Sequence, residues 1–201
     1  MVAIIDYGVG NLMAIQNIIR KAGGKALVTS DLNAIDSADK IILPGVGAFS
    51  YGMQQLLKRN LVPCLNYQVF EKKKVILGLC LGAQLMTQQS EEGDQKGLGW
   101  MNAVTRKFDP QQVAITPHMN WADVTFKRLS PLSEGLERGA RFYFVHSYHF
   151  DFSVEEQVIG TTYYGYEFAS AFQRDNIFGV QFHPEKSHRF GVKLFQNFLK
   201  I

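Results

Sequence analysis

The stretch Lys74-Val75-Ile76-Leu77-Gly78-Leu79-Cys80-Leu81-Gly82-Ala83-Gln84-Leu85 decides how the rest of the chain is read. It opens as an unbroken apolar run, which suits a strand buried on both faces. It then passes through Gly78-x-Cys80-x-Gly82 into good helix formers. That is the strand–turn–helix pattern of a nucleophile elbow, with a thiol where hydrolases often carry Ser. The glycines have a steric role, because so tight a turn needs small neighbours if strand and helix are to pack closely. Cys80 is then expected at the carboxyl edge of a sheet, near a helix N-terminus whose N–H groups and dipole favour thiolate. A lone Cys in an apolar run is more often an inert core residue. The flanking glycines and the strand-to-helix switch favour the elbow.

Upstream, the pattern alternates strand and helix. Val2–Asp6 reads as a strand, Gly8-Val9-Gly10-Asn11 as a turn, and the stretch to about Ala22 as a helix closed by Gly23-Gly24. A dinucleotide fingerprint would need glycine at Met13, so the loop is read as a tight βα turn. Lys25–Thr29 and Lys40–Leu43 read as strands, followed by Pro44-Gly45-Val46-Gly47 and a helix over about Ala48–Asn60. In elbow enzymes a second oxyanion donor comes from a loop after a different strand, and the Gly45–Gly47 loop is placed to supply it. Its two glycines would let a peptide rotate between withholding and offering that donor. Leu61–Lys73 reads as helical, with Pro63 marking a break or a new first turn. The helix after the elbow is expected to run from Leu81 to about Gln89. From Ala103 to Gln173 short aromatic, β-rich segments take over, at Ala103–Phe108, Ala122–Phe126, Arg141–His146, Val158–Tyr164 and Phe168–Phe172. Ile177–Phe182 is a further buried strand and Lys186–Ile201 a terminal amphipathic helix. The expected architecture is α/β and flavodoxin-like: one domain over 1–201, with a mostly parallel central sheet flanked by helices. An antiparallel strand region joins one side of that sheet in the second half.

Composition narrows the function classes. With 201 residues, 46% hydrophobic and 19% charged, the chain can bury a substantial core. A net charge of +3 gives no case for nucleic acid, and Lys72-Lys73-Lys74 fits a helix C-terminus better than a phosphate patch. Two cysteines, Cys64 and Cys80, with no CxxC or Cys/His quartet, indicate neither a metal site nor a disulfide framework. The opening residues lack a basic-then-apolar leader and the apolar runs are short, so a soluble, cytoplasmic protein without a membrane segment is expected.

A nucleophilic thiol needs a base, and the base an orienter. Of five histidines, His183 stands out because it follows the buried strand and so also sits at a strand end. Glu185 lies two residues on, the same side in extended geometry, and Pro184 keeps His183 out of helix. A carboxylate beside imidazole fixes its tautomer and stabilises imidazolium, which in turn stabilises thiolate. His146 and His149 read as structural, His118 as structural or lining a rim, and His188 as the start of the last helix. The N–H of Leu81 and one from the Gly45–Gly47 loop are the oxyanion donors expected of acyl transfer to a thiol. The residues by themselves do not name the acyl donor. They also admit a general thiol hydrolase, or a non-enzymatic flavodoxin-like module in which Cys80 is structural.

With these pieces together, the sequence resembles the class I (triad) glutamine amidotransferases. The resemblance is greatest to the glutaminase subunits of imidazole glycerol phosphate synthases in histidine biosynthesis. It rests on Ile5–Leu12, Leu43–Phe49, Gly78–Leu85, Lys96-Gly97-Leu98-Gly99, Tyr143–Tyr148 and Phe178–Ser187, in the family's order over nearly the whole chain. It implies Cys80 as nucleophile, His183 as base and acid, and Glu185 as orienter. It further implies Val46 and Leu81 as oxyanion N–H donors, and Gly47, Gln84, Glu92, Ser147 and Tyr148 as holders of glutamine. It implies no cofactor and no metal, and a (β/α)8-barrel cyclase as heterodimer partner taking up ammonia in a dry passage. The sequence departs from the family at His118-Met119-Asn120-Trp121-Ala122, where Gly is expected at 120 and Asn at 122. By the same resemblance, the side chain missing at 122 bears on contacts at the partner interface and not on the triad, and the segment leaves room for a same-class glutaminase serving another synthase, such as one for surface-sugar amination.

Overall fold

Strands β1 (Val2–Ile5), β2 (Ala26–Thr29), β3 (Lys40–Leu43) and β4 (Val75–Leu79) pair in parallel in the order β2-β1-β3-β4. A later strand, β11 (Ile177–Val180), joins them, parallel to β4 and on its free side. Neighbouring residues along these strands face opposite ways: Ile4, Ile42, Leu77 and Phe178 enter one core, while Ile5, Ile41, Ile76 and Ile177 enter another. Period-two geometry with both faces covered explains why the strands read as continuous apolar runs. The computed structural model of the chain describes residues 1–93, 95–136 and 139–201.

The first core is covered by α1 (Leu12–Lys21) and α6 (His188–Lys200), through Ile15, Ile18, Ile19, Leu194, Phe195 and Phe198. The second is covered by α3 (Phe49–Lys58) and α4 (Leu61–Asn66), through Phe49, Met53, Leu56, Leu61 and Leu65. Truncating one of these buried side chains to Ala would cost about 2–5 kcal/mol. Helix α2 (Leu32–Ser37), absent from the sequence reading, starts where the Asp31 carboxylate accepts the Ala34 N–H at 2.8 Å. Pro63 does not break α4. It sits in the first turn, where a missing N–H costs nothing. The chain then widens into a π-turn over Tyr67–Glu71, and the lysine run follows that helix end.

The second half adds antiparallel strands on the β11 side: β10 (Tyr166–Arg174), β9 (Val158–Tyr164), β6 (His118–Phe126) and β7 (Ala140–His146), in that order. Strand β5 (Ala103–Lys107) pairs with β8 (Tyr148–Phe152), which reaches β10 through Ala169 and Phe150. The sequence reading starts β6 at Ala122 and lacks β8. In the structure β6 begins at His118, and a bend at Ser147 separates β7 from β8 so that the two pair with different neighbours.

The helix after the elbow, α5, is the largest correction: it spans only Leu81–Gln84, not a run to Gln89. The returning segment claims the carbonyls that would have continued it. Leu98 N–H donates to Leu85 at 2.7 Å, Trp100 to Met86 at 2.9 Å, Gly99 to Thr87 at 3.0 Å and Gly97 to Gln88 at 2.8 Å. Asn120 lies in extended β6 and needs no left-handed backbone, so the departure there leaves the strand intact. Among the described residues no helix is long and apolar enough to cross a membrane.

Candidate active site

The site grows from one register. β4 and β11 run parallel with Gly78 opposite Gly179 and Leu79 opposite Val180. The Cys80 N–H continues the ladder to Val180 O at 2.8 Å. The residues that leave these two strands therefore emerge side by side at the carboxyl edge, Cys80 from one and His183 from the other.

Cys80 sits at φ +50°, ψ −111°, a conformation that L side chains rarely adopt. The neighbouring turns are held by close packing. A Cβ on Gly82 would lie 1.9 Å from Leu43 O, and one on Gly78 would lie 2.6 Å from the Ala83 Cα. Glycine is required at both places, as the elbow pattern predicts. The sulfur itself is buried.

The imidazole of His183 is clamped through its backbone. Its N–H donates to Tyr143 O at 2.9 Å, and its carbonyl accepts the Ser187 hydroxyl at 2.6 Å. Ser187 Oγ in turn accepts the Tyr143 N–H at 3.1 Å. In the ring, Nδ1 meets Glu185 Oε1 at 2.8 Å, both side chains being buried. The other nitrogen, Nε2, is buried and makes no well-formed hydrogen bond. Burial pulls the His183 pKa down, but the negative sulfur of Cys80 and the Glu185 carboxylate outweigh it and push it up to about 10. Since Nδ1 is committed to Glu185, it is Nε2 that is left for the sulfur.

A cavity of about 380 Å³ opens over this pair, lined by Val46, Gly47, Ala48, Cys80, Leu81, Gln84, Glu92, Pro117, Val145, His146, Ser147, Tyr148 and His183. Nine of the ten site residues expected from sequence lie on its wall. The tenth, Glu185, stands behind His183. Among the described residues no three His, Cys, Asp or Glu side chains group to hold a metal ion.

The family model for glutamine amidotransferase class-I matches residues 3–201. The chain belongs to the class-I glutamine amidotransferases. Its relatives include an imidazole glycerol phosphate synthase subunit HisH 2 of Methanococcus maripaludis, 50% identical with 100% of this chain and 99% of that protein covered. Another, of the same name in Pseudomonas aeruginosa, is 43% identical with both chains covered in full. Among solved structures, PurLQS from Thermotoga maritima superposes with a TM-score of 0.78 at 19% identity, over 99% of this chain and 97% of that one. The glutaminase domain of Trypanosoma brucei CTPS with bound acivicin gives 0.68 at 15% identity, over 98% and 91%. At such identities these two speak for the fold alone.

In this amidotransferase the loop after β3 divides its labour between two glycines. Gly45 is locked: a Cβ there would meet Gly82 N at 2.7 Å and the Leu81 Cβ and Tyr7 hydroxyl at 2.8 Å. Gly47 takes φ +98° with open space around it. The expectation that both glycines let the loop rotate is corrected to Gly47 alone. Among the described residues, neither the Val46 nor the Leu81 N–H donates to the protein. Glu92 accepts the Phe49 N–H at 2.9 Å through Oε2, at the start of α3, and its charge helps raise the Tyr148 phenol, after burial, above the usual range.

Three residues around Cys80 and His183 are given no role by the sequence reading. Tyr7 donates its hydroxyl to Pro44 O, and burial first, then the nearby sulfur, raises its pKa. Gln181 points its amide at Cys80, and Ser187 holds the His183 backbone. A lone Gln between apolar residues in Phe178–Phe182 was the available signal, because a buried amide must find partners.

Proposed function

We propose that this chain is a single glutaminase domain, 1–201, that hydrolyses glutamine to glutamate and ammonia through a Cys80 thioester. The carrying observation is the meeting of Cys80, His183 and Glu185 at one strand edge under a cavity of about 380 Å³. Cys80 as thiolate attacks the side-chain carboxamide carbon, and the carbonyl electrons move to oxygen. The N–H groups of Leu81 and Val46 receive that oxyanion. His183, held by Glu185, passes its proton to the departing nitrogen. Ammonia leaves and the thioester remains. Water then gives a proton to His183 and its oxygen to the acyl carbon, which releases glutamate and restores the thiolate. Glu92 faces the substrate ammonium, and Gly47, Gln84, Ser147 and Tyr148 hold the rest of the amino-acid end.

Free ammonia in neutral water is mostly protonated and loses its nucleophilicity. The product is therefore delivered to a synthase subunit that caps the site. The relatives' names favour an imidazole glycerol phosphate synthase, with histidine biosynthesis as the setting. The other subunit in this reading is a (β/α)8-barrel cyclase. The test is glutamine turnover by the chain with and without that cyclase. Turnover that rises on complex formation is expected. A partner-bound chain that leaves glutamine untouched overturns the reading. Asn120, exposed on β6, and the half-buried Ala122 two residues on favour one second reading, a different synthase partner for the same glutaminase. Recovery of another synthase, and not the cyclase, in a pull-down would establish it.

A further inference from the structure

Gln181 is fully buried one residue past β11, and its Nε2 lies 3.6 Å from Cys80 Sγ. Which amide atom faces the sulfur is fixed by a series of hydrogen bonds that starts at an obligatory acceptor. Tyr148 O is a backbone carbonyl and can only accept, so the Gln84 atom 3.1 Å from it is nitrogen. That same nitrogen has a second N–H, which reaches Gln181 Oε1 at 3.1 Å. Turning either amide over would set oxygen against oxygen or NH2 against NH2 in a buried place. Gln181 is therefore left with its N–H groups toward the sulfur. Tyr148 O is itself pinned by a second donor, His146 Nδ1 at 2.7 Å.

We propose that Gln181 is a further catalytic residue of the glutaminase reaction: its amide N–H hydrogen-bonds the Cys80 sulfur and stabilises it as thiolate. Gln84 and the Tyr148 carbonyl act as positioning groups for that amide. A thiolate accepts such a bond and a thiol gains less from it, so the contact favours the charged form. Gln181 adds to His183 and does not duplicate it, since an amide carries no proton to pass on. The other titratable groups facing the sulfur are His183 from the end of β11 and Tyr7 from the end of β1, with Glu92 and His146 on the cavity wall and Glu185 acting through His183. The inference rests on Cys80 being the nucleophile.

The test is alkylation of Cys80 by iodoacetamide in the full chain, followed against pH, for the natural protein, Gln181→Met and Gln181→Glu. Loss of one hydrogen bond to a charged group predicts alkylation about tenfold slower at neutral pH in Gln181→Met, with the rate recovered at alkaline pH. Gln181→Glu, which sets a carboxylate against the sulfur, shifts the profile further the same way. With the synthase partner, kcat for glutamine falls about tenfold in Gln181→Met while KM stays within about twofold. If Gln181→Met fails to fold, Gln84→Met carries the test, because an unheld Gln181 amide can turn and gives a smaller shift in the same direction. A profile that coincides with the natural protein's, in a variant of unchanged melting temperature, reduces Gln181 to packing and overturns the proposal. Absence of glutamine turnover in the natural complex would instead overturn the glutaminase reading, and the alkylation profile would still report on Gln181.

Discussion

Two groups of histidine take opposite charge states, and one member of each, His183 and His146, lines the cavity. His183 closes the β4–β11 edge. His118, His146 and His149 form a second group in the aromatic core. His118 stacks on Tyr164 at 4.1 Å and on Phe144 at 4.9 Å between ring centroids, and Phe108 packs on all three. Their nitrogens are spent on neutral partners: His118 Nδ1 on His146 Nε2 at 3.1 Å, His146 Nδ1 on Tyr148 O, and His149 Nε2 on the Tyr166 hydroxyl at 2.8 Å. Burial lowers His118 to about 4, takes His146 well below the ordinary value and lowers His149. Burial acts on His183 too, yet a sulfur anion and a carboxylate carry it to about 10. Burial sets a neutral default for imidazole, and an anion in contact reverses it.

The most severe way to break the contrast is to remove the anion. Cys80→Ala is expected to abolish glutamine hydrolysis, by on the order of 10⁴-fold or more. The complex should still make product from added ammonium salt. In the same variant an NMR titration should find His183 well below about 10. Failure of ammonia-dependent synthesis with the fold intact would break the proposed division between subunits. Glu185→Gln comes next. It keeps the shape but loses the charge and the enforced tautomer, so kcat is expected to fall on the order of 10³-fold with little change in KM. Steady-state glutaminase kinetics of the complex check it.

Stability against pH sharpens the contrast, because the two groups give opposite slopes. Folded His118 resists protonation until about pH 4, whereas the unfolded ring protonates near 6.5. The unfolded state binds more protons between those values, so stability is lost as pH falls through that window. For His183 the folded value, about 10, lies above 6.5. Its contribution is full below 6.5 and is lost as pH rises toward about 10. Denaturant midpoints across this range should show both slopes in the natural protein. Cys80→Ala should weaken the alkaline slope and leave the acid one. The smallest effect is expected from Gly47→Ala: strain at positive φ costs about 1 kcal/mol of stability, read as a lower denaturant midpoint. Partner-stimulated glutamine turnover should fall with it.

Much of the parallel half is legible because its signals are local. An apolar run ending in glycines can be little other than a doubly buried strand entering a tight turn, and Pro184 keeps His183 extended. The misplacements share a different cause. α5 stops at Gln84 because Gly97, Leu98, Gly99 and Trp100 return to take its next carbonyls. β8 exists because β5 pairs with it. Helix propensity and alternation carry no record of such distant donors. Gln181 and Tyr7 escaped for the same reason: each is an ordinary residue until its partner is known.

The sequence by itself determined which residues could do chemistry. It carried a strained thiol between glycines, and an imidazole with a carboxylate two positions on. Only the tertiary structure decided that they meet. The choice was made when β11, nearly a hundred residues downstream, paired in parallel beside β4 and not at an outer edge. Backbone hydrogen bonds between strands are indifferent to sequence, so the pairing is selected by two cores that must both be filled at once. The same event turned Gln181 toward the sulfur and left His183 facing an anion.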